Sequence, residues 1–241
     1  MSTLSDILLS IVSLVRPRRC AVCGGDLPRG VDFLCTMCRY KAPLTGYWRE
    51  KDNPMTERFA GLVCVEHASA LLFFSGGSGW RKVIHGFKYG GQWRAAYLLG
   101  RQYGRELRQS GLYDDIDIIV PVPLHYRKLL RRGYNQSTYI ARGMAREMGV
   151  GVDTRSLRRT RNNPSQARKM HSERWDNVDD LFAVRCSAES LRGAHILLVD
   201  DVFTTGATVV SCIETLHRAL PECRISVAAL AVVRRGLGLE R

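Results

Sequence analysis

Residues 196–208 read Ile-Leu-Leu-Val-Asp-Asp-Val-Phe-Thr-Thr-Gly-Ala-Thr, and this stretch limits the fold more tightly than any other. Four consecutive apolar residues suit a strand buried on both faces, as in parallel sheets. The run closes on two adjacent acids, Asp200 and Asp201. Thr204, Thr205, Gly206, Ala207 and Thr208 follow and lead into a helical pattern over residues 207–220. A strand that turns through such residues into a helix aims main-chain N–H groups, and the positive end of the helix dipole, at one point. Gly206 lets the backbone approach an anion without a Cβ clash. Carboxylates at the carboxyl end of a sheet strand sit where open α/β sheets bind ligands. They repel phosphate but accept hydrogen bonds from hydroxyls. Two acids beside an anion cradle therefore fit a sugar phosphate.

The remaining patterns extend this unit. IDIIVPV, residues 116–122, and RISVAALAVV, residues 224–233, read as further apolar strands. Residues 80–110 look helical, interrupted at Gly86, Gly90 and Gly91, and residues 135–148 carry helical periodicity. Residues 58–76 read as two strands or a hairpin, and VGVDTRSLRR, residues 150–159, as one more strand. Alternating strands and helices predict an α/β fold, a mostly parallel sheet covered by helices on both faces. Residues 160–180 are polar, basic and rich in Asn and Ser, the composition of a loop.

Near the N-terminus, Cys20 and Cys23 form one C-x-x-C pair and Cys35 and Cys38 a second, with 11 residues between the pairs. Two such turns can close a tetrahedral four-thiolate site around Zn²⁺. Four thiolates leave no open position, so the metal is expected to be structural. Redox chemistry is the alternative, but a redox C-x-x-C normally opens a helix in a thioredoxin-like unit, a setting the pattern lacks. A length of 241 residues suits a small metal module plus one larger domain, divided as residues 1–50 and 51–241.

Hydrophobic residues make up 45% of the chain, too many for a disordered protein. The formal net charge is +13. Residues 127–174 hold 13 Lys and Arg against 3 Asp and Glu, a local net of +10. Such a concentrated field suits an anionic partner: diphosphate, nucleic acid or both. No apolar run approaches the roughly 18 residues of a membrane span. The first 15 residues are apolar, with Leu4, Ile7, Leu8, Ile11 and Leu14 on one helical face. That helix lies against its own domain, or against a partner or membrane surface. No basic start or A-x-A site marks a signal peptide there, and the scattered cysteines do not form a disulfide pattern. A reducing cytoplasm is the expected compartment.

Several segments together resemble a known family. VDDVFTTGATV resembles the phosphoribosyl-diphosphate motif of type I phosphoribosyltransferases. VPVPLHYRKLLRRGYNQS, residues 120–137, resembles the Pro-Val-Pro…Arg-Gly-Tyr-Asn-Gln signature of the ComF family, the competence-associated phosphoribosyltransferase-like proteins. So do the cysteine knuckles, the IHGFKY stretch at residues 84–89, and the segment from Arg159 to Gln166 with Arg174 and Asn177 beyond it. The family's further cysteine pair is represented only by Cys64, which reads as a strand core residue.

The resemblance implies a type I phosphoribosyltransferase-like domain and a sugar-phosphate site. Asp200 and Asp201 would hold the ribose hydroxyls as catalytic residues, and Thr204–Thr208 the 5′-phosphate. A diphosphate loop would lie near Val120–Leu124, with Val122 and Pro123 in it. Arg127, Lys128, Arg131 and Arg132 would contact diphosphate, with Mg²⁺ bridging diphosphate and ribose. Residues 160–178 would fold over the site, bringing Arg161, Arg168 and Lys169, with Arg168 in a catalytic part. The implied setting is DNA uptake in natural transformation, with single-stranded DNA and a ComFA-like helicase as partners. An active phosphoribosyltransferase and a non-catalytic phosphoribosyl diphosphate sensor are the alternatives, since fold alone does not decide among them.

Overall fold

The computed structural model describes residues 18–74, 79–161, 181–185, 188 and 191–239. The N-terminal helix expected over the first 15 residues lies outside the described residues, as does most of the basic loop at residues 160–180.

The element order is α1 (Thr36–Tyr40), α2 (Pro54–Glu57), β1 (Ala68–Phe74), α3 (Gly79–Tyr89), α4 (Trp93–Ser110), β2 (Ile118–Pro121), α5 (Tyr126–Arg132), α6 (Gln136–Met148), β3 (Gly151–Val152), β4 (Leu157–Arg159), β5 (Phe182–Val184), β6 (His195–Phe203), α7 (Ala207–Ala219) and β7 (Arg224–Val233). A five-stranded sheet has the order β1-β7-β6-β2-β3, and every pairing in it is parallel. β4 and β5 form a separate antiparallel ribbon.

Apolar side chains cover both faces of the sheet, which is why its strands read as continuous apolar runs rather than alternating ones. On one face, α3, α4 and α6 bury Val83, Phe87, Leu99, Tyr103, Ile140 and Met144 against Leu71, Leu197 and Leu230. On the other, α7 buries Val209, Ile213 and Leu216 against Leu198, Val227 and Ala229. Cys20 and Leu34 of the cysteine segment are buried in the first of these clusters, beside Trp80 of α3.

Two sequence expectations need correction. Residues 58–76 hold one strand, β1, rather than two strands or a hairpin. The preceding chain is occupied by α2 and turns. Asn53 caps α2 by accepting from the amides of Met55 (2.9 Å) and Thr56 (3.2 Å), and Pro54 occupies the first helical position. Cys64 consequently lies in the irregular chain before β1 and is exposed, not in a strand core. The expected strand over residues 150–159 is split into β3 and β4, which belong to different sheets. Asp153 turns the chain between them, its carboxylate accepting from the amides of Arg155 (2.7 Å) and Ser156 (3.0 Å). Among the described residues, no helix is long and apolar enough to cross a membrane.

Candidate functional site

β6 is an interior strand, paired with β7 on one edge and β2 on the other. Its residues Ile196–Val199 are fully buried, so the polarity change at Asp200 marks the point where the strand leaves the core. The chain then turns at Gly206, whose φ is +84°, and enters α7. A Cβ at Gly206 would stand 2.7 Å from Cζ of Phe203, so a side chain there is opposed by both the backbone conformation and the ring below. Phe203 is itself fixed, its ring edge-on to Phe59 at a centroid distance of 5.6 Å. The first-turn amides of α7 have no partner inside the helix and point out of this turn. Thr204 and Thr205 are exposed beside them. A turn of this kind can cradle an anion with main-chain amides and hydroxyls.

The two acids differ in surroundings. Asp200 accepts from Ser137 Oγ (3.3 Å) and from the amide of Asp201 (2.8 Å). Burial, and the negative charge of Asp201 beside it, push its carboxyl up to about 7. Asp201 is paired with the ammonium of Lys88 at 3.0 Å. Lys88 closes α3, so this ion pair ties the end of that helix to the end of β6.

The acids face a cleft of about 390 Å³. Beside them, the neighbouring strand β2 runs out into Val122, Pro123 and Leu124, which also line the cleft. That loop is held by two bonds: the amide of Val122 donates to the carbonyl of Val199 (2.8 Å), and Asn135 Nδ2 donates to the carbonyl of Val122 (3.0 Å). Asn135 also caps α6 by accepting from Ser137 N at 3.2 Å, as its place before the helical pattern suggests. It thereby joins the Asn-Gln segment to the cleft wall. Gly133 ends α5 with φ +78° and lets α6 begin in a new direction. Lys128 and Arg132 of α5 and Arg159 of β4 complete a basic wall. Burial, followed by the nearby charges of Arg159 and Arg132, lowers the Lys128 ammonium from its ordinary value.

Among the residues expected from sequence, Asp200, Asp201, Thr204 and Thr208 line the cleft on one side, and Val122, Pro123, Lys128 and Arg132 on the other. Thr205, Gly206 and Ala207 shape the turn behind it, with Ala207 N donating to Thr205 Oγ1 at 3.5 Å. Arg127 is turned away: its Nε donates to the Tyr126 hydroxyl (3.1 Å), and its guanidinium sits 5.8 Å from that ring's centroid. Arg168 and Lys169 lie outside the described residues. The lining residues that carried no assigned role include Lys88, Ser137 and Arg159. Lys88 belongs to the quoted IHGFKY stretch.

The four sulfurs of Cys20, Cys23, Cys35 and Cys38 lie within 4.8 Å of one another. Cys23 Sγ and Cys35 Sγ are 3.8 Å apart. The edge of a tetrahedral four-thiolate zinc site with bonds of about 2.3 Å is about 3.8 Å, so the cluster has the size to hold that ion. Main-chain amides already point at the sulfurs: Cys35 N donates to Cys20 Sγ and Cys38 N to Cys35 Sγ, both at 3.4 Å. Burial works against ionisation of Cys20, but the amides of Cys23 and Cys35 outweigh it and lower the thiol to about 6. The Cys38 thiol, by contrast, is pushed well up by burial and by its neighbouring cysteines. Four cysteines this close could together hold a metal ion.

Residues 130–240 match the phosphoribosyl transferase domain. The chain is 31% identical over 140 residues to DNA utilization protein YhgH of Salmonella typhimurium, a match covering 56% of this chain and 60% of that protein. The chain thus spans about three fifths of that relative's length. It is 28% identical over 232 residues to Competence protein F of Haemophilus influenzae, covering 88% of this chain and 96% of that protein. To Competence protein ComFC of Bacillus subtilis it is 24% identical over 207 residues, covering 85% and 80% respectively.

Proposed function

The chain belongs to the ComF family of proteins with a phosphoribosyltransferase domain, and on that premise we propose that its cleft binds phosphoribosyl diphosphate in a role tied to DNA uptake. One observation carries the reading. A main-chain anion cradle, two acids and a basic wall converge on a single cleft of about 390 Å³. A sugar with an anion at each end needs those three elements in that arrangement.

In this reading the amides and hydroxyls of Thr204–Thr208 take the 5′-phosphate. Asp200 and Asp201 accept from the ribose hydroxyls. Lys128, Arg132 and Arg159 neutralise diphosphate, and Lys88 leaves Asp201 for the ligand's negative charge. The carboxylate oxygens of Asp200 and Asp201 are hard donors that would help to hold an Mg²⁺ carried mainly by the ligand. When bound, Mg²⁺ draws charge from the diphosphate oxygens. Residues around Arg168 would cover the cleft and exclude water. The cysteine cluster would hold structural Zn²⁺ in a reducing cytoplasm, and a ComFA-like helicase would be the protein partner.

Calorimetry with phosphoribosyl diphosphate and Mg²⁺ tests the binding step. Saturable heat that disappears when Asp200 and Asp201 are both changed to Ala is the expected result. No heat from the unchanged protein would leave a shared scaffold without this ligand. Whether binding proceeds to transfer is read from diphosphate release with candidate base or amine acceptors. Release makes the protein an active phosphoribosyltransferase, and binding without release makes it a sensor.

A further inference from the structure

The turn from Gly133 to Ser137 sends hydrogen bonds to three separate parts of the cleft. Asn135 donates to the carbonyl of Val122, and Ser137 Oγ donates to Asp200. The third bond comes from Tyr134, whose hydroxyl donates to the carbonyl of Phe87 in α3. Phe87 is fully buried. The next residue in the chain is Lys88, the partner of Asp201. Helix α3 supplies Ile84, His85 and Lys88 to the cleft lining, while α5 and α6 supply Lys128, Arg132, Gln136 and Ser137. The Tyr134 hydroxyl therefore ties one set of lining residues to the other.

The bond also meets a need of the helix. The last four carbonyls of an α-helix lack partners within it unless the chain beyond supplies them. At the end of α3, the carbonyl of Gly86 is taken by the amide of Gly90 at 2.9 Å, and the carbonyl of Phe87 by Tyr134. The Tyr134 ring is held from two directions. Gly133, with φ +78°, turns the chain just before it, and the ring stands edge-on to Tyr139 at a centroid distance of 5.5 Å. Tyr139 in turn lies 5.2 Å from the Trp93 ring at the start of α4. Burial raises the Tyr134 hydroxyl above its ordinary value, so it keeps its proton and remains a donor. A carbonyl capped from another element moves only with that element. The place of the last turn of α3, and of Lys88 on it, is thus set by the turn between α5 and α6.

We propose that Tyr134 is a positioning residue for the ligand, acting through Lys88: its hydroxyl holds the end of α3 where the ammonium can pair with Asp201 and turn to a phosphate. The role rests on the sugar-phosphate reading of the cleft. It adds to that reading a residue that does not itself line the cleft.

The test is a double-mutant cycle on ligand affinity. Calorimetry with phosphoribosyl diphosphate and Mg²⁺ compares the unchanged chain, Tyr134→Phe, Lys88→Met and the double variant. Tyr134→Phe keeps the ring and its packing and removes only the hydroxyl. It is expected to weaken binding about fivefold, the effect of losing one neutral hydrogen bond. If Lys88→Met weakens it about tenfold, the double variant should also lose about tenfold, in place of the roughly fiftyfold loss that independent residues would give. A side chain that merely supported the fold would give the product. Hydrogen exchange in the ligand-free protein follows the cap: amides in the last turn of α3 should exchange faster in Tyr134→Phe, with those of β6 unchanged. Full affinity in Tyr134→Phe, or a double variant that shows the product, overturns the role and leaves the cleft reading standing. Unaltered exchange at the end of α3 overturns the role whatever calorimetry shows. No heat from the unchanged chain overturns the cleft reading and this role together.

Discussion

Lys88 sets its ammonium 3.0 Å from the Asp201 carboxylate, and through that contact a helix that starts at the cysteine turn ends in the ligand cleft. The first residue of α3, Gly79, lies so near Val22 that a Cβ on it would stand 2.2 Å from the Val22 carbonyl oxygen. Trp80, Val83, Ile84 and Phe87 are buried along the helix in the same cluster as Cys20. The cysteine turn and Lys88 are thus the two ends of one packed strut.

Removing the zinc proposed for the cysteine cluster should therefore be felt at the cleft. A strong chelator is expected to lower the Tm and to weaken phosphoribosyl diphosphate binding in parallel, since metal binding supplies folding free energy to a segment with little core of its own. Gly79→Ala, which leaves all four cysteines in place, should shift α3 and reproduce the loss of affinity with zinc content unchanged. Calorimetry beside metal analysis checks both. Full ligand affinity after chelation would show that the strut carries no load.

Lys88→Met should separate binding from stability. Both partners of the ion pair keep some contact with water, with side-chain exposures of 28% and 13%, so the pair contributes no more than about 1 kcal/mol. The variant is expected to melt within a few degrees of the unchanged protein. Its affinity for phosphoribosyl diphosphate should fall about tenfold, the cost of losing one charged contact of roughly 1.4 kcal/mol.

Asp200 makes stability depend on pH. Its carboxyl is held up at about 7 in the folded chain, against 3.8 ordinarily, so the folded state keeps a proton that the unfolded state gives up. The stability this group contributes is complete below its unfolded value and is lost as pH rises through about 7. Asp200→Asn removes the titration. Urea unfolding should then show a flatter decline between about pH 4 and 7, with a gain of up to a few kcal/mol at about pH 8. Ligand binding should weaken in the same variant. A steeper decline than in the unchanged protein would refute the assignment.

Gly206→Ala meets two obstacles at once, a φ of +84° and a Phe203 ring carbon 2.7 Å from the new Cβ. A loss of roughly 1–3 kcal/mol is expected from the backbone conformation alone. The displaced turn should also misalign the α7 amides, so phosphate affinity should fall further than stability does. Denaturant midpoints compared with calorimetry distinguish the two effects.

The parts of this fold that sequence revealed are those where local pattern and tertiary role agree. β6 and β7 are buried on both faces, so their apolar runs are unbroken, and the Thr204–Thr208 turn carries its chemistry in consecutive residues. The failures have local causes. Residues 62–65 look like a strand because apolar side chains cluster there, yet the Asn53 cap and Pro54 had already committed the preceding chain to a helix. Asp153 breaks the expected strand of residues 150–159 into two with one carboxylate. At the site, Asp200 and Asp201 were legible because they end an apolar run. Lys88 and Arg159 were not, because they reach the cleft from elements distant in sequence, and no local spacing records that approach.

β6 is hydrogen-bonded along both edges, to β7 from His195 to Phe203 and to β2 from Ile196 to Val199. A strand clamped in this way opens only when the entire sheet does, so its amides should exchange with solvent at the rate of global unfolding. Any molecule seated on Asp200 and Asp201 is consequently anchored to the most slowly opening part of the chain. Its occupancy shifts the unfolding transition as a whole, and a titrated melting curve can report its dissociation constant directly.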